Sequence, residues 1–305
     1  MRKYLILLVC LILCVPLMAT EKDIGTTAGN LLKIEAGVKG ASMGGAFCAV
    51  ADNVFGSLYW NAGGLGLIDK REAEFSYNSW LQGINQGYLS YGQSTKIGTL
   101  ALGISYFDFG SMKETVSNPA GRYDIKGDFG ATSMLVQIGY GRSIASKRLN
   151  LGISVKYISD KIKDDNKTAY AIDAGILYKT PFTNLSAGLA IQNLGTKLAD
   201  YPLPQTIRLG LSYKLSALLF ALDLNMPNDN KSDFRLGGEY TFKAISFRLG
   251  YNSGLDDDKL GSTQGLPIGI TGGLGFRFSR FEVNYAFVPY GDLGNTQRIS
   301  LNIGF

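Results

Sequence analysis

The sequence predicts an all-β fold: a transmembrane, up-and-down antiparallel barrel of about 14 strands with an N-terminal plug. Three observations predict it. From residue 71 onward, apolar side chains recur at every second position, segment after segment. The connections between these segments alternate between tight and long, as in barrels that cross a membrane with strands. The first 19 residues carry an export signature. Composition agrees, with 39 Gly, 17 Tyr and 16 Phe in 305 residues and 18% charged residues, below the roughly 25% of soluble chains. No apolar run after residue 19 is long enough for a spanning helix.

Taken in order, the chain opens with Arg2 and Lys3, an apolar run over 5–17 and the small Ala19. Residues 1–19 therefore read as a signal peptide rather than a membrane anchor. Cleavage would remove Cys10 and Cys14, leaving Cys48 as a lone, packed thiol and a net charge near +3. That charge forms no basic cluster, so nucleic acid is not an expected partner.

Residues 20–70 lack the period of two and are too few for a core of their own. A barrel of this girth leaves an interior that wall side chains alone do not fill. The segment is therefore expected to fold inside the barrel as a plug. Its aromatic residues Phe47, Phe55, Tyr59 and Trp60, with Asn61, form the candidate surface for an apolar ligand, the alternative being that the aromatics only pack the plug to the wall.

The barrel is expected over 71–305, in segments near 71–79, 85–94, 97–108, 130–144, 149–160, 168–180, 183–193, 204–214, 217–226, 232–242, 245–254, 266–278, 281–290 and 296–305. Most are long enough for a tilted strand to cross a bilayer, which takes about 9–11 residues. Tight turns are centred on Thr95-Lys96, Ser146-Lys147, Pro181-Phe182, Leu215-Ser216, Lys243-Ala244 and Ser279-Arg280. The intervening loops are 109–129, 161–167, 194–203, 227–231, 255–265 and 291–295.

These centres fix a register that sets opposite charges across the polar face of three hairpins: Arg208 against Asp223, Glu239 against Arg248, and Arg277 against Glu282. The polar face is thus expected to line a lumen, where these pairs brace the wall or the plug, and the apolar face to meet outer-membrane lipid. Aromatic residues near strand ends, among them Tyr77, Trp80, Phe109, Tyr213, Phe278 and Tyr290, suit interfacial girdles. Ile299, Leu301, Ile303 and Phe305 resemble the terminal strand signal read by the barrel assembly machinery. An even strand number places both termini in the periplasm of a bacterium.

One stretch is more specific. Gly25-Thr26-Thr27, Leu31-Leu32-Lys33-Ile34, Gly40-Ala41-Ser42-Met43-Gly44-Gly45-Ala46-Phe47, Ala51-Asp52-Asn53 and Tyr59-Trp60-Asn61-Ala62-Gly63-Gly64-Leu65 follow one another in an order that resembles the start of PorV/PorQ-family proteins. These belong to the FadL-like outer-membrane barrels. The family usually shows a proline after the asparagine, where this chain has Ala62. The resemblance implies a fourteen-stranded barrel with an N-terminal hatch, formed here by Asn61 and its neighbours. It implies two functions: inward passage of hydrophobic molecules, as in FadL-like members, or receipt of cargo in type IX protein secretion, as in PorV-type members.

The absence of histidine excludes Ser-His-Asp and Cys-His catalysis and His-ligated metal sites, so an enzyme is not expected. No cofactor or resident metal is expected; the acidic run Asp256-Asp257-Asp258 reads as a solvated outer loop. The leading expectation is a passive conduit or binder for hydrophobic or amphipathic small molecules. The alternative is an attachment or shuttle component for secreted cargo proteins.

Overall fold

The computed structural model describes residues 24–144, 148–255 and 268–305. The expected signal peptide (1–19) and the acidic loop at Asp256 lie outside these residues. Fourteen strands follow in chain order: β1 (Glu72–Ser79), β2 (Asn85–Thr95), β3 (Gly98–Ser117), β4 (Tyr123–Ile144), β5 (Leu149–Ile162), β6 (Asp165–Lys179), β7 (Leu185–Gly195), β8 (Thr206–Leu215), β9 (Leu218–Pro227), β10 (Asp233–Phe242), β11 (Ile245–Asn252), β12 (Ile270–Phe278), β13 (Phe281–Pro289) and β14 (Asn295–Gly304). Each pairs antiparallel with its neighbour in sequence, and β1 pairs with β14 to close the barrel.

Alternation decides which side chains face out. On β14, Arg298 is 2% exposed between Gln297 and Ile299, and Ile299 and Leu301 stand on the outer surface. The same alternation puts Phe75, Leu89, Leu102, Ile153, Phe220, Leu249 and Phe276 outside and Ser76, Ser90, Gly103, Ser154, Asp223 and Arg248 inside. The outside is therefore apolar around the wall, the inverse of a water-soluble sheet. Tyr77, Tyr213, Phe242 and Phe278 are exposed near strand ends. Trp80 and Tyr290 depart from the girdle reading, because their rings meet edge to face at 4.8 Å and line an interior cavity. Phe109 also turns inward, stacking on the buried Phe107 with ring centroids 6.4 Å apart.

The register of two hairpins matches expectation: Glu239 stands opposite Arg248, and Arg277 opposite Glu282. The third does not. Ser216 and Ala217 form the turn between β8 and β9, Leu215 pairs with Leu218, and Arg208 therefore faces Asn225 rather than Asp223. Asp223 lies opposite Gly210. The cause is local: Ser216 takes a left-handed φ of 52°, which moves the turn one residue along the chain. The shift displaces partners by two, so every side chain keeps its face.

Residues 109–129, expected as a loop, instead prolong β3 and β4 into a hairpin paired from Ser111–Gly130 to Ser117–Tyr123. Here β3 has run past β2, whose pairing ends at Asp108, so the hairpin projects beyond the rim. Gly110, at φ 74°, marks the irregularity where the hairpin leaves the barrel, and its N–H donates to Asp108 Oδ1 at 2.9 Å. The expected 161–167 loop is likewise mostly strand, leaving only Lys163 and Asp164 between β5 and β6.

Candidate functional site

The N-terminal segment packs against the inner face of the wall. Its regular pieces are short: a 3-10 turn at Asn30–Lys33, helix α1 (Val38–Ser42), helix α2 (Val54–Tyr59) and a 3-10 stretch at Ala62–Leu67. Glycine and small residues break the chain between them, and Asn53 caps α2 by accepting from Gly56 N–H at 2.7 Å. Helices this short are held by tertiary contacts rather than by propensity.

Those contacts are mostly wall side chains bonded to the segment's backbone. Asp223 Oδ2 accepts from Phe47 N–H and Cys48 N–H, both at 2.8 Å. Thr271 Oγ1 accepts from Gly44 N–H at 2.9 Å, and Gln192 Nε2 donates to Tyr59 O at 2.6 Å. Ser212 donates to Ala49 O at 3.0 Å, and Ser76 donates to Ala36 O at 3.2 Å. Asn61 does the converse. Its Oδ1 accepts from Gly63 N–H at 3.0 Å, while Nδ2 donates to Cys48 O at 2.8 Å and to Ile176 O in β6 at 2.9 Å.

Two wall glycines show how closely the backbones approach. A Cβ on Gly152 would lie 1.9 Å from Ala62 O, and one on Gly250 would lie 2.0 Å from Gly44 N. No side chain fits at either position. The inward glycines thus make a trough that the segment occupies.

Of the sequence-derived ligand candidates, Phe47, Phe55 and Trp60 are enclosed with Tyr88 in a core cluster, with Phe47–Trp60 centroids at 5.2 Å and Phe55–Tyr88 at 4.1 Å. Tyr59 joins the same cluster but also lines a cavity of about 360 Å³ toward the long-loop end. Trp80, Leu32, Leu135, Val288 and Tyr290 supply its apolar lining, and Lys33, Glu35, Lys156, Arg208, Asp229, Asp233 and Arg235 its charges.

Most of these charges are matched. Lys33 pairs with Asp229, and Lys156 meets Asp173 at 2.6 Å. Arg235 meets both Asp233 and Glu35 at 2.6 Å, tying β10 to the segment. Lys156, Asp173, Gln192 and Thr271 were not singled out from sequence. Their only signal is that a polar side chain sits on an inward strand position.

A second cavity, of about 500 Å³, opens at the short-turn end beside Lys39, Asp52, Glu239, Arg248, Arg277 and Glu282. Here two of the three expected lumen pairs join a network. Arg248 Nε meets Glu239 at 2.6 Å, Arg277 meets Glu282 at 2.5 Å, and Lys39 reaches Asp52 at 2.6 Å and Glu239 at 3.8 Å. Burial works against the Lys39 ammonium, but the Asp52 and Glu239 carboxylates outweigh it and its pKa stands above the usual lysine value. Burial likewise opposes the Asp52 carboxylate, and Lys39 more than offsets this, holding its pKa below the usual value. The expected terminal signal residues lie on β14 or just beyond it, with Phe305 N–H donating to Arg71 O at 2.9 Å.

No protein-family model matches the chain, and no curated protein matches it by sequence. Solved structures do. The deltaS2 mutant of the TodX monoaromatic hydrocarbon channel aligns with a TM-score of 0.61 at 12% identity, covering 87% of this chain and 96% of that one. The CymD monoaromatic hydrocarbon channel aligns at 0.56 and 12% identity, covering 88% and 96%. The P. putida toluene transporter TodX aligns at 0.52 and 11% identity, covering 82% and 94%. At such identities the likeness is one of fold: the chain shares the architecture of barrels named for passing small apolar molecules.

Proposed function

We propose that this chain is an outer-membrane barrel that conducts or binds hydrophobic and amphipathic small molecules past a hatch formed by residues 20–70. The observation that carries the reading is the combination of an outer wall that is apolar all round with an interior occupied by a separate segment bearing a cavity on each side. A lipid-facing wall explains the first, and regulated passage explains the second. The fold likeness to monoaromatic hydrocarbon channels supports the same reading. The neighbours named above are channels and a transporter, which puts conduction ahead of the secretion role suggested by the PorV-like N-terminus. In this reading both termini and the short turns face the periplasm, and the β14 signal is read by the assembly machinery.

The test is flux into liposomes. The wild-type protein is expected to admit toluene into vesicles. In a Cys48→Ser background, Lys39→Cys and Glu239→Cys joined by a short reducible crosslinker should tether α1 to β10 and stop uptake, and reduction should restore it. Uptake that persists through the tether would overturn the hatch, and no uptake by wild type would overturn conduction.

A further inference from the structure

Arg208 is the one cation of the long-loop cavity that meets no carboxylate at contact distance among the described residues. It is 7% exposed. Its Nε donates to Gln192 Oε1 at 2.7 Å, and its Nη1 is buried without a hydrogen-bond partner. Asp223, the carboxylate expected opposite it, gives Oδ2 to the backbone N–H groups of Phe47 and Cys48 and does not line the cavity; its Oδ1 has no hydrogen-bond partner and feels the Arg208 charge from beyond contact distance. A buried guanidinium with an idle N–H is costly unless an acceptor completes it.

The surroundings say what kind of acceptor. Gln192, which holds Arg208, also bonds Tyr59 O, and the Tyr59 hydroxyl donates to Leu32 O at 3.2 Å. Tyr59 and Leu32 therefore stand beside the guanidinium on the same cavity wall. The cavity thus offers a guanidinium with one idle N–H next to an apolar aromatic surface, in a volume of about 360 Å³. An idle guanidinium N–H favours a carboxylate oxygen, which gives a charge-assisted bond, and a cavity of this size holds a small ligand rather than a long chain.

We propose that the long-loop cavity binds a compact organic monoanion, its carboxylate on Arg208 and its apolar body against Tyr59 and Leu32. The proposal rests on the reading of the barrel as a conduit for amphipathic molecules and names the class of molecule. The idle N–H also explains why a neutral hydrocarbon would be the poorer occupant: it would leave Nη1 without an acceptor.

The experiment is equilibrium binding to the purified, detergent-solubilised protein, separate from vesicle flux. The probes are benzoate and its neutral isostere benzamide. Wild type is expected to prefer benzoate, and Arg208→Gln to reduce that preference about tenfold or more, as loss of a charge-assisted pair does. Chloride should displace benzoate from wild type but leave benzamide in place, a readout that does not depend on folding of the variant. Equal binding of the two probes, a preference that survives Arg208→Gln, or chloride-insensitive benzoate binding would each overturn the anion site, as would binding of neither probe. Toluene flux into liposomes would stand or fall independently.

Discussion

Asn61 satisfies three backbone groups at once, in a place where water does not reach: the residue is 1% exposed. Asn61→Ala would strand Gly63 N–H and the carbonyls of Cys48 and Ile176. The expected cost to seating of the segment is about 1–3 kcal/mol. Cys48 is buried and is the one free thiol of the described residues, so its labelling rate by a maleimide reports that seating. The Asn61→Ala protein should label about tenfold faster or more; an unchanged rate would show that these bonds do not hold the segment. Gly152 tests the same contact from the wall. Gly152→Val should expel Ala62 from its trough and raise Cys48 labelling further, with the barrel itself intact by heat-modifiable gel shift. A Gly152→Val protein that labels like wild type would refute the close approach at Ala62 O.

At the scale of elements, α1 is a single short turn of helix whose charged residue Lys39 ties it to Asp52 and to Glu239 of β10. The pH dependence follows from the directions of the two shifts. Asp52, with its pKa lowered, adds stability above the ordinary value of 3.8 and loses it as pH falls through the lowered value. Lys39, with its pKa raised, adds stability below the ordinary 10.5 and loses it as pH rises through the raised value. The contribution of the Lys39–Asp52 pair to the seating of α1 should therefore be constant across neutral pH and fall away at both extremes. Because Asp52 opens to the second cavity, the effect is small, about 0.5 kcal/mol. Emission of Trp60 in a Trp80→Phe background, scanned against pH with and without Asp52→Asn, would detect it; acid and alkaline steps that survive Asp52→Asn would contradict the assignment. The β3–β4 projection makes a contrasting prediction. Its cross-strand pair Lys113–Asp128 and its tie Lys163–Glu114 are largely exposed and contribute little. Replacing residues 112–128 with a short turn should leave the gel shift and melting temperature of the barrel unchanged, and a loss of several degrees would show that the projection braces the rim.

At the scale of the whole molecule, the alternation of side chains carried most of the information. A period of two with outward Phe, Leu and Tyr fixes strands, faces and closure, because a slip of one residue would invert every side chain. That is why the fourteen strands and two of the three charge pairs were legible. Turn centres were legible only to within one residue. The turn residues Ser216, Lys243 and Ser279 adopt left-handed φ without being glycine or asparagine, so no local signal fixed the loop at Ser216. The price of that single residue was the Arg208–Asp223 pairing. The projection was illegible for another reason: Lys113 and Glu114 stand among mixed polar positions there, and a hairpin solvated on both faces has no apolar period to read. The candidate aromatics were recognisable as packing between plug and wall, but their wall partner was not, since sequence cannot show that Tyr88 of β2 closes over them.

Helix α1 lends Ala41 to the long-loop cavity and Lys39 to the one at the short-turn end. Five residues at the usual helical rise span only about 7.5 Å. What parts the two chambers is thus a septum rather than a cork. Under the proposed conduction a solute crosses one thin threshold, so its rate of passage should track how often that threshold lifts, whatever the length of the cylinder around it.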